Sequence, residues 1–200
     1  WNKNLIMNIF LISSENQNKF GISKVISELK KELKNTNKIK YSKNIMKFIK
    51  FKTDILHIHG CWKLRLLVFF LLAKLLKIKI VISPHGMMDQ NSLDQKKIKK
   101  KIAFNLYQKF MFNYADLIIV NSNNEKKNLL NKISALKKIS IIPHGVNIEK
   151  NFLPKKNLNK DLKFVFFSRI HKSKNLQILV SLWEQSLYLK KFKLDIFGEI

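Results

Sequence analysis

Short apolar runs alternate along the chain with stretches whose apolar residues recur at helical spacing. Asn8 to Ser13 (NIFLIS) predicts a buried strand, and Gly21 to Lys34 places Ile22, Val25, Ile26, Leu29 and Leu33 on one helical face. Asp54 to His59 (DILHIH) predicts the next strand, and Leu64 to Lys77 a strongly apolar helix. Ile78 to Ser83 (IKIVIS) is a strand closed by Pro84, and Asp94 to Tyr114 predicts one long, lysine-rich helix. Asp116 to Asn121 (DLIIVN) and Ile139 to Ile142 are further strands, separated by a short helix from Asn123 to Lys132. Strands apolar on both faces and joined by helices define a parallel sheet covered on both sides, a doubly wound α/β domain. Its ligands belong at the carboxyl ends of the strands.

The polar stretch Glu149 to Asp161, with Pro154 and a Lys/Asn cluster, breaks this rhythm and predicts a linker. A new cycle follows: strand Leu162 to Ser168, helix Asn175 to Tyr188, strand Phe192 to Phe197. The expected organisation is therefore a first α/β domain over 1–150, a linker over 151–161, and the first β-α-β unit of a second domain over 162–200. The chain opens on Trp1 and stops at Ile200 just after a strand and a glycine, so a fragment is expected.

Composition narrows the class. The longest uncharged apolar run, Leu66 to Ala73, falls far short of the roughly 18 residues of a membrane-spanning helix. No signal peptide is evident, because the apolar run Met7 to Ser13 is short and lacks a cleavage site. The lone Cys61 allows neither an internal disulfide nor a cysteine-based zinc site, and a reducing, cytoplasmic compartment fits best. Thirty-nine basic residues against 13 acidic ones leave a formal charge of +26, but only Arg65 and Arg169 are arginine. Nucleic-acid readers favour the planar arginine fork, so nucleic acid is not expected as a partner. Compositional drift explains most of the lysine excess, and attraction to an anionic membrane surface is its sharper alternative.

Four strand ends carry the chemistry: His57-Ile58-His59-Gly60, Ser83-Pro84-His85-Gly86-Met87, Pro143-His144-Gly145 and Ser168 to Lys174. Glycine lets backbone approach a ligand, and histidine can hydrogen-bond or move a proton. A lone histidine is ordinarily a satisfied, half-buried residue, and that reading is preferred for His57. For His59 the two readings balance. His85 is the best candidate, since Pro84 and Gly86 set a sharp turn around it. His57 and His59 share a strand face, but no carboxylate or cysteine stands at ligand spacing, so no metal is expected. Arg169 and Lys174 flank a helix start and could cradle a phosphate. Gly21 opens the first helix without any GxGxxG or GxxxxGK pattern. Ser122 and Glu125 form a capping box, read as structural. No GxSxG elbow is present, and Cys61 lacks an orienting carboxylate, so a hydrolase is not supported.

Taken in order, DILHIHGCW, VISPHGMMD, ADLIIVNSNNE, ISIIPHGVN, FVFFSRIHKSKNLQILV and LDIFGE resemble the GT-B fold glycosyltransferases of family 4, also called group 1, over about Gly21 to Glu199. The resemblance implies two Rossmann-like domains, the first mainly holding acceptor and the second, only begun in this chain, mainly holding nucleotide-sugar donor. It implies transfer with retention of configuration and without metal or other cofactor, the nucleotide-sugar being a substrate. By position, His85 matches the histidine lining the donor-sugar pocket, and Arg169 and Lys174 match the basic pair on the donor diphosphate. Gly21 matches the glycine-rich loop after the first strand, Gly198 the glycine opening the loop after the second donor-domain strand, and His59 and Gly86 belong to the same donor and acceptor loops. The implied acceptor is a glycan or lipid-linked precursor of a cell-surface polysaccharide or lipopolysaccharide, handled at the inner face of the cytoplasmic membrane. The apolar helix from Leu64 to Leu76, flanked by Lys63, Arg65, Lys74 and Lys77, fits a peripheral membrane role, although a buried core helix is preferred for it.

The chain also departs from the pattern. Phe20-Gly21 stands where the family shows two or more glycines, and His144 stands where Asn is commoner. The stretch between the first helix and DILHIHG is short enough that one or two strands are expected to be missing or degenerate. The E-x7-E carboxylates and the base-reading residues lie beyond Ile200, so the fragment is expected to be inactive. The alternatives are a non-catalytic remnant that binds acceptor or membrane, a basic nucleic-acid binder, and another enzyme of this fold such as an epimerase.

Overall fold

The computed structural model describes residues 6–15, 21–134, 136, 138–145, 163–171 and 174–199. The chain divides into two compact units, Trp1–Gly145 and Val146–Ile200.

The first unit is built on a parallel six-stranded sheet in the order β2-β1-β3-β4-β5-β6. Its strands are β1 (Asn8–Ser13), β2 (Lys38–Tyr41), β3 (Ile55–His59), β4 (Lys79–Ser83), β5 (Leu117–Val120) and β6 (Ile139–Ile141). The helices are α1 (Ile22–Leu33), α2 (Ile45–Ile49), α3 (Leu64–Leu75), α4 (Gln90–Asp94), α5 (Lys97–Ala103), α6 (Lys109–Tyr114) and α7 (Asn123–Leu130). Alternation along β1 divides the core: Phe10 and Ile12 join a large cluster with Leu56, Ile58, Ile80 and Ile82, while Ile9 and Leu11 meet Ile22 and Ile26 of α1 on the other face. This is the doubly wound arrangement that the apolar runs imply, with helices on both faces of the sheet.

Three elements differ from the sequence expectation. The stretch between α1 and β3 is neither empty nor degenerate: it holds both β2 and α2. β2 (KIKY) escapes a search for apolar runs because it is an edge strand, and only Ile39 and Tyr41 pack against the α1 cluster. α2 is five residues long, capped by Asn44 Oδ1, which accepts the Lys47 N–H at 3.1 Å. It delivers Phe48 into the core, edge-on to Phe10 with centroids 5.0 Å apart.

The long helix expected from Asp94 is interrupted. α4 ends before an extended Gln95, Lys96 adopts a left-handed φ of 55°, and α5 starts afresh at Lys97. A π-helical turn over Phe104–Gln108 then joins α5 to α6. Such a turn accommodates an extra residue, and it keeps the exposed Ile98, Ile102, Leu106, Phe110 and Tyr114 in line despite their four-residue spacing.

The apolar helix α3 is only half a core helix. Leu66, Phe69, Phe70 and Ala73 are buried, whereas Leu64, Val68, Leu71 and Leu75 face outward, Leu75 at 78% exposure. Among the described residues no helix is long and apolar enough to cross a membrane.

The second unit, as described, is a parallel pair, β7 (Lys163–Phe167) and β8 (Lys193–Phe197), joined by α8 (Leu176–Gln185) and a 3-10 turn over Leu189–Lys191. Phe164 meets Trp183 of α8 at 5.0 Å between centroids, whereas Val165 and Phe167 on the opposite face remain open, Phe167 at 84% exposure. The linker expected over 151–161 lies outside the described residues.

Candidate functional site

The chain passes from β1 to β2 on one side and returns to β3 on the other, so the sheet order reverses between β1 and β3. At such a switch point the carboxyl ends of the strands open a crevice. Here the Ser14 N–H donates to the His59 carbonyl at 2.9 Å, and the Gly60 N–H donates to the Ser83 carbonyl at 2.7 Å. Gly60 has a φ of 88°, and a Cβ there would collide with the Ser14 side chain, so only glycine closes this corner.

Four histidines line up along this edge. His57 and His59 project from the same face of β3, their ring centroids 4.0 Å apart. His57 Nε2 pairs with Ser83 Oγ at 2.8 Å, the satisfied arrangement expected of it. His59, 1% exposed, pairs through Nδ1 with His85 Nε2 at 2.9 Å, so one ring of the pair carries the shared proton. The His85 ring stacks between His59 and His144, at 5.2 and 5.3 Å. His59 Nε2 and His85 Nδ1 are buried and unpartnered.

Burial makes these rings resist a proton. His57 is pushed down to about 3 by burial, with the neighbouring His85 adding to the shift. His85 is pushed down to about 4 by burial and then by His144. His59 is held well below the ordinary histidine range by burial and by the other three rings. All three are neutral at pH 7, and a neutral imidazole offers one donor and one acceptor. Such an edge suits hydroxyl-rich ligands better than anions. Cys61 is buried, and its thiol is raised by burial and by Glu125, which keeps it protonated and unreactive.

His85 sits in a turn of its own. His85 and Gly86 adopt successive left-handed φ values of 55° and 71°. The Met87 N–H closes the turn on the Pro84 carbonyl at 3.2 Å. The Gly86 N–H donates to Glu125 Oε1 at 2.6 Å, and Glu125 Oε2 accepts the Asn121 N–H at 2.7 Å. The capping reading of this segment is half right. Ser122 Oγ does accept the Glu125 N–H at 3.2 Å, but the Glu125 carboxylate reaches back to Asn121 and across to Gly86 rather than to Ser122.

Gly21 stands at the N-cap of α1 with a φ of 105° and open space beside it, and the loop before it lies outside the described residues. Among the described residues no three His, Cys, Asp or Glu side chains gather as a metal site.

Arg169, Lys174 and Gly198 belong to the second unit. Arg169 and Lys174 are exposed on either side of the turn that leads to Asn175, the N-cap of α8. A cavity of about 310 Å³ lies at that helix start, lined by Ile170, His171, Asn175, Leu176, Gln177 and Ile178, with Arg169 and Lys174 outside its lining. At Gly198 a Cβ would collide with the Ser168 carbonyl, so this glycine lets the ends of β7 and β8 close together.

The structure thus gathers His59, His85 and Gly86 at one edge of the first unit, and Arg169, Lys174 and Gly198 at the strand ends of the second. Sequence reasoning undervalued Glu125 and Ser83. The signal for Glu125 was present: one of 13 acidic residues in the chain, it lies just past the end of a predicted strand, on the edge where the site belongs.

A parallel sheet with its polar groups collected at a switch point defines a Rossmann-like domain. A profile of glycosyltransferase family 4 matches residues 15–150, from just after β1 to beyond β6, and the chain belongs to that family, whose members have the GT-B fold. No curated protein matches the chain significantly.

Proposed function

We propose that the chain is the acceptor-side domain, with the opening of the donor domain, of a retaining, metal-independent glycosyltransferase. The observation that carries this reading is the file of histidines at the switch point of a family 4 domain, with His57, His59 and His85 held neutral by burial. In this reading His85 hydrogen-bonds the donor sugar and helps stabilise its transition state. Arg169 and Lys174, beside the α8 N-terminus, offset the charge that builds on the departing nucleoside diphosphate. Gly21, His59, Gly86 and Gly198 allow the loops to approach donor and acceptor closely. The acceptor is a glycan or lipid-linked precursor of a cell-surface polysaccharide or lipopolysaccharide.

Saturation-transfer NMR with a panel of nucleotide-sugars tests the reading on the chain as it stands. One nucleotide-sugar is expected to show contacts at its sugar protons. His85→Ala should remove the sugar contacts, and Arg169→Ala should weaken binding of the whole donor. Absence of any nucleotide-sugar contact, or sugar contacts unchanged in His85→Ala, would overturn it.

An anionic membrane surface is the proposed partner of the outward faces of α3 and of the α5–α6 segment. Both segments carry outward apolar rows, Leu64, Val68, Leu71 and Leu75 on α3 and Ile98, Ile102, Leu106, Phe110 and Tyr114 on α5–α6, and the exposed Lys63, Lys74, Lys97, Lys101 and Lys109 lie on the same helices or at their ends. Apolar side chains for the acyl boundary, with lysines for the headgroups, are what an interfacial helix presents.

A further inference from the structure

We propose that Glu125 is a positioning residue for His85: one carboxylate, bridging the loops after β4 and β5, straps the His85–Gly86 turn in the geometry that delivers the His85 ring to His59. This inference rests on the reading of His85 as a donor-sugar contact.

The turn needs a restraint. Two consecutive residues are left-handed, and one of them is a histidine, whose Cβ is crowded there. Within the turn, Met87 N–H bonds to the Pro84 carbonyl and Asp89 N–H to the Gly86 carbonyl, which leaves the Gly86 N–H for an outside acceptor. Glu125 supplies it at 2.6 Å. A second bond from the same helix follows three residues on, where Asn128 Nδ2 donates to Asp89 Oδ1 at 2.8 Å. Glu125 and Asn128 lie one turn apart on one face of α7, so that face holds the loop at both ends of its bend.

The carboxylate is placed for this task rather than for capping. In a capping box it would bond the N–H of the cap residue itself. Here its two oxygens take Asn121 and Gly86, from two different loops, at 2.7 and 2.6 Å. Glu125 is 4% exposed, and in a chain so rich in lysine none of the ion pairs among the described residues includes it. A lysine partner would compete for the oxygens that the two N–H groups need. Among the described residues, the ionisable groups around the turn are His57 and His59 from β3, Cys61 just after it, His144 after β6, Asp89 within the loop and Glu125 from α7.

Histidine side-chain NMR on 15N-labelled protein tests the assignment. With the strap intact, His85 Nε2 should show the shift of a hydrogen-bonded nitrogen, and the ring should titrate well below free histidine. Glu125→Gln replaces one acceptor oxygen by an NH2 that cannot accept an N–H. The freed ring should take up water, its midpoint should rise by about one pH unit or more, and the hydrogen-bonded Nε2 signature should disappear. Ser122→Ala removes the helix cap but keeps the carboxylate, so it should lower stability and leave the His85 titration in place. An unchanged midpoint in Glu125→Gln, or an equal shift in Ser122→Ala, would overturn the proposal.

A readout on the unaltered chain covers the case in which Glu125→Gln fails to fold. Through-hydrogen-bond scalar couplings should link both the Gly86 and the Asn121 amide nitrogens to the Glu125 side-chain carboxylate carbon, because both N–H groups bond that one carboxylate. Absence of either coupling would overturn the strap. None of these readouts uses a donor, so their failure leaves the reading of His85 standing, and failure of nucleotide-sugar binding leaves the strap standing.

Discussion

Neutral imidazoles decide both what the carboxyl edge of the sheet can bind and how the protein responds to acid. His57 and His85 are depressed to about 3 and about 4, chiefly by burial, and His59 also lies well below its ordinary range. In the unfolded chain these rings take protons near pH 6.5, while the folded state refuses them until far lower. Between those limits the unfolded state binds more protons, so stability falls as pH falls below about 6.5, by up to ~1.4 kcal/mol per pH unit for each ring. Urea midpoints are expected to drop steeply between pH 7 and pH 5, and His57→Gln should flatten that slope. Cys61 should be inert to thiol reagents in the folded protein and react once urea exposes it, a rate followed by absorbance of the released thiolate product. His59 and His85 were legible in the sequence because each sits at a strand end beside a glycine. Glu125 was legible as an acidic residue on the site edge, but its bond to Gly86 was not, because that bond depends on β4 and β5 lying side by side, and its sequence neighbours offered a simpler task.

At the scale of elements, apolar periodicity located the long strands and the helices that bury a face, and it failed where burial is shared unevenly. β2 puts only two apolar side chains against the α1 cluster, and its Lys38 and Lys40 suit an open edge that must not recruit another strand. α2 is too short to show a period, yet it completes an aromatic cluster in which Phe48 and Phe69 lie 5.3 Å apart and Phe10 and Phe69 stack at 6.0 Å. Phe69→Ala should therefore cost about 3–5 kcal/mol, measured by equilibrium unfolding. The break at Lys96 was hidden because lysine carries no turn signal, although its left-handed backbone favours glycine. Loss of the Ser122 cap should cost about 1 kcal/mol, and the same unfolding experiment on Ser122→Ala checks it.

For the whole molecule, charge and exposed apolar surface act together. The net charge of +26 attracts any anionic surface, and the outward faces of α3 and α5–α6 are among the described surfaces that would add apolar rows to that attraction. Co-sedimentation with vesicles containing anionic lipid should fall as salt rises, and Leu71→Glu with Leu106→Glu should weaken it further at constant low salt. Equal binding by that double variant would leave charge as the sole cause. The second unit has no buried residue among those described, and the open face of β7 carries Phe167. Expressed alone, Val146–Ile200 should show no cooperative unfolding transition by circular dichroism, because a β-α-β unit of this size cannot bury enough apolar surface. The strand order of the first unit bears on how the chain is made. β1 leaves the ribosome first, β2 joins one of its sides and β3 the other, and β4, β5 and β6 then join the growing edge in turn. No later strand has to be threaded between two already in place. Each arriving segment meets a waiting edge, so the sheet can be laid down in the order of translation, and the switch-point corner of Ser14, His59 and Gly60 closes as soon as β4 has followed β3.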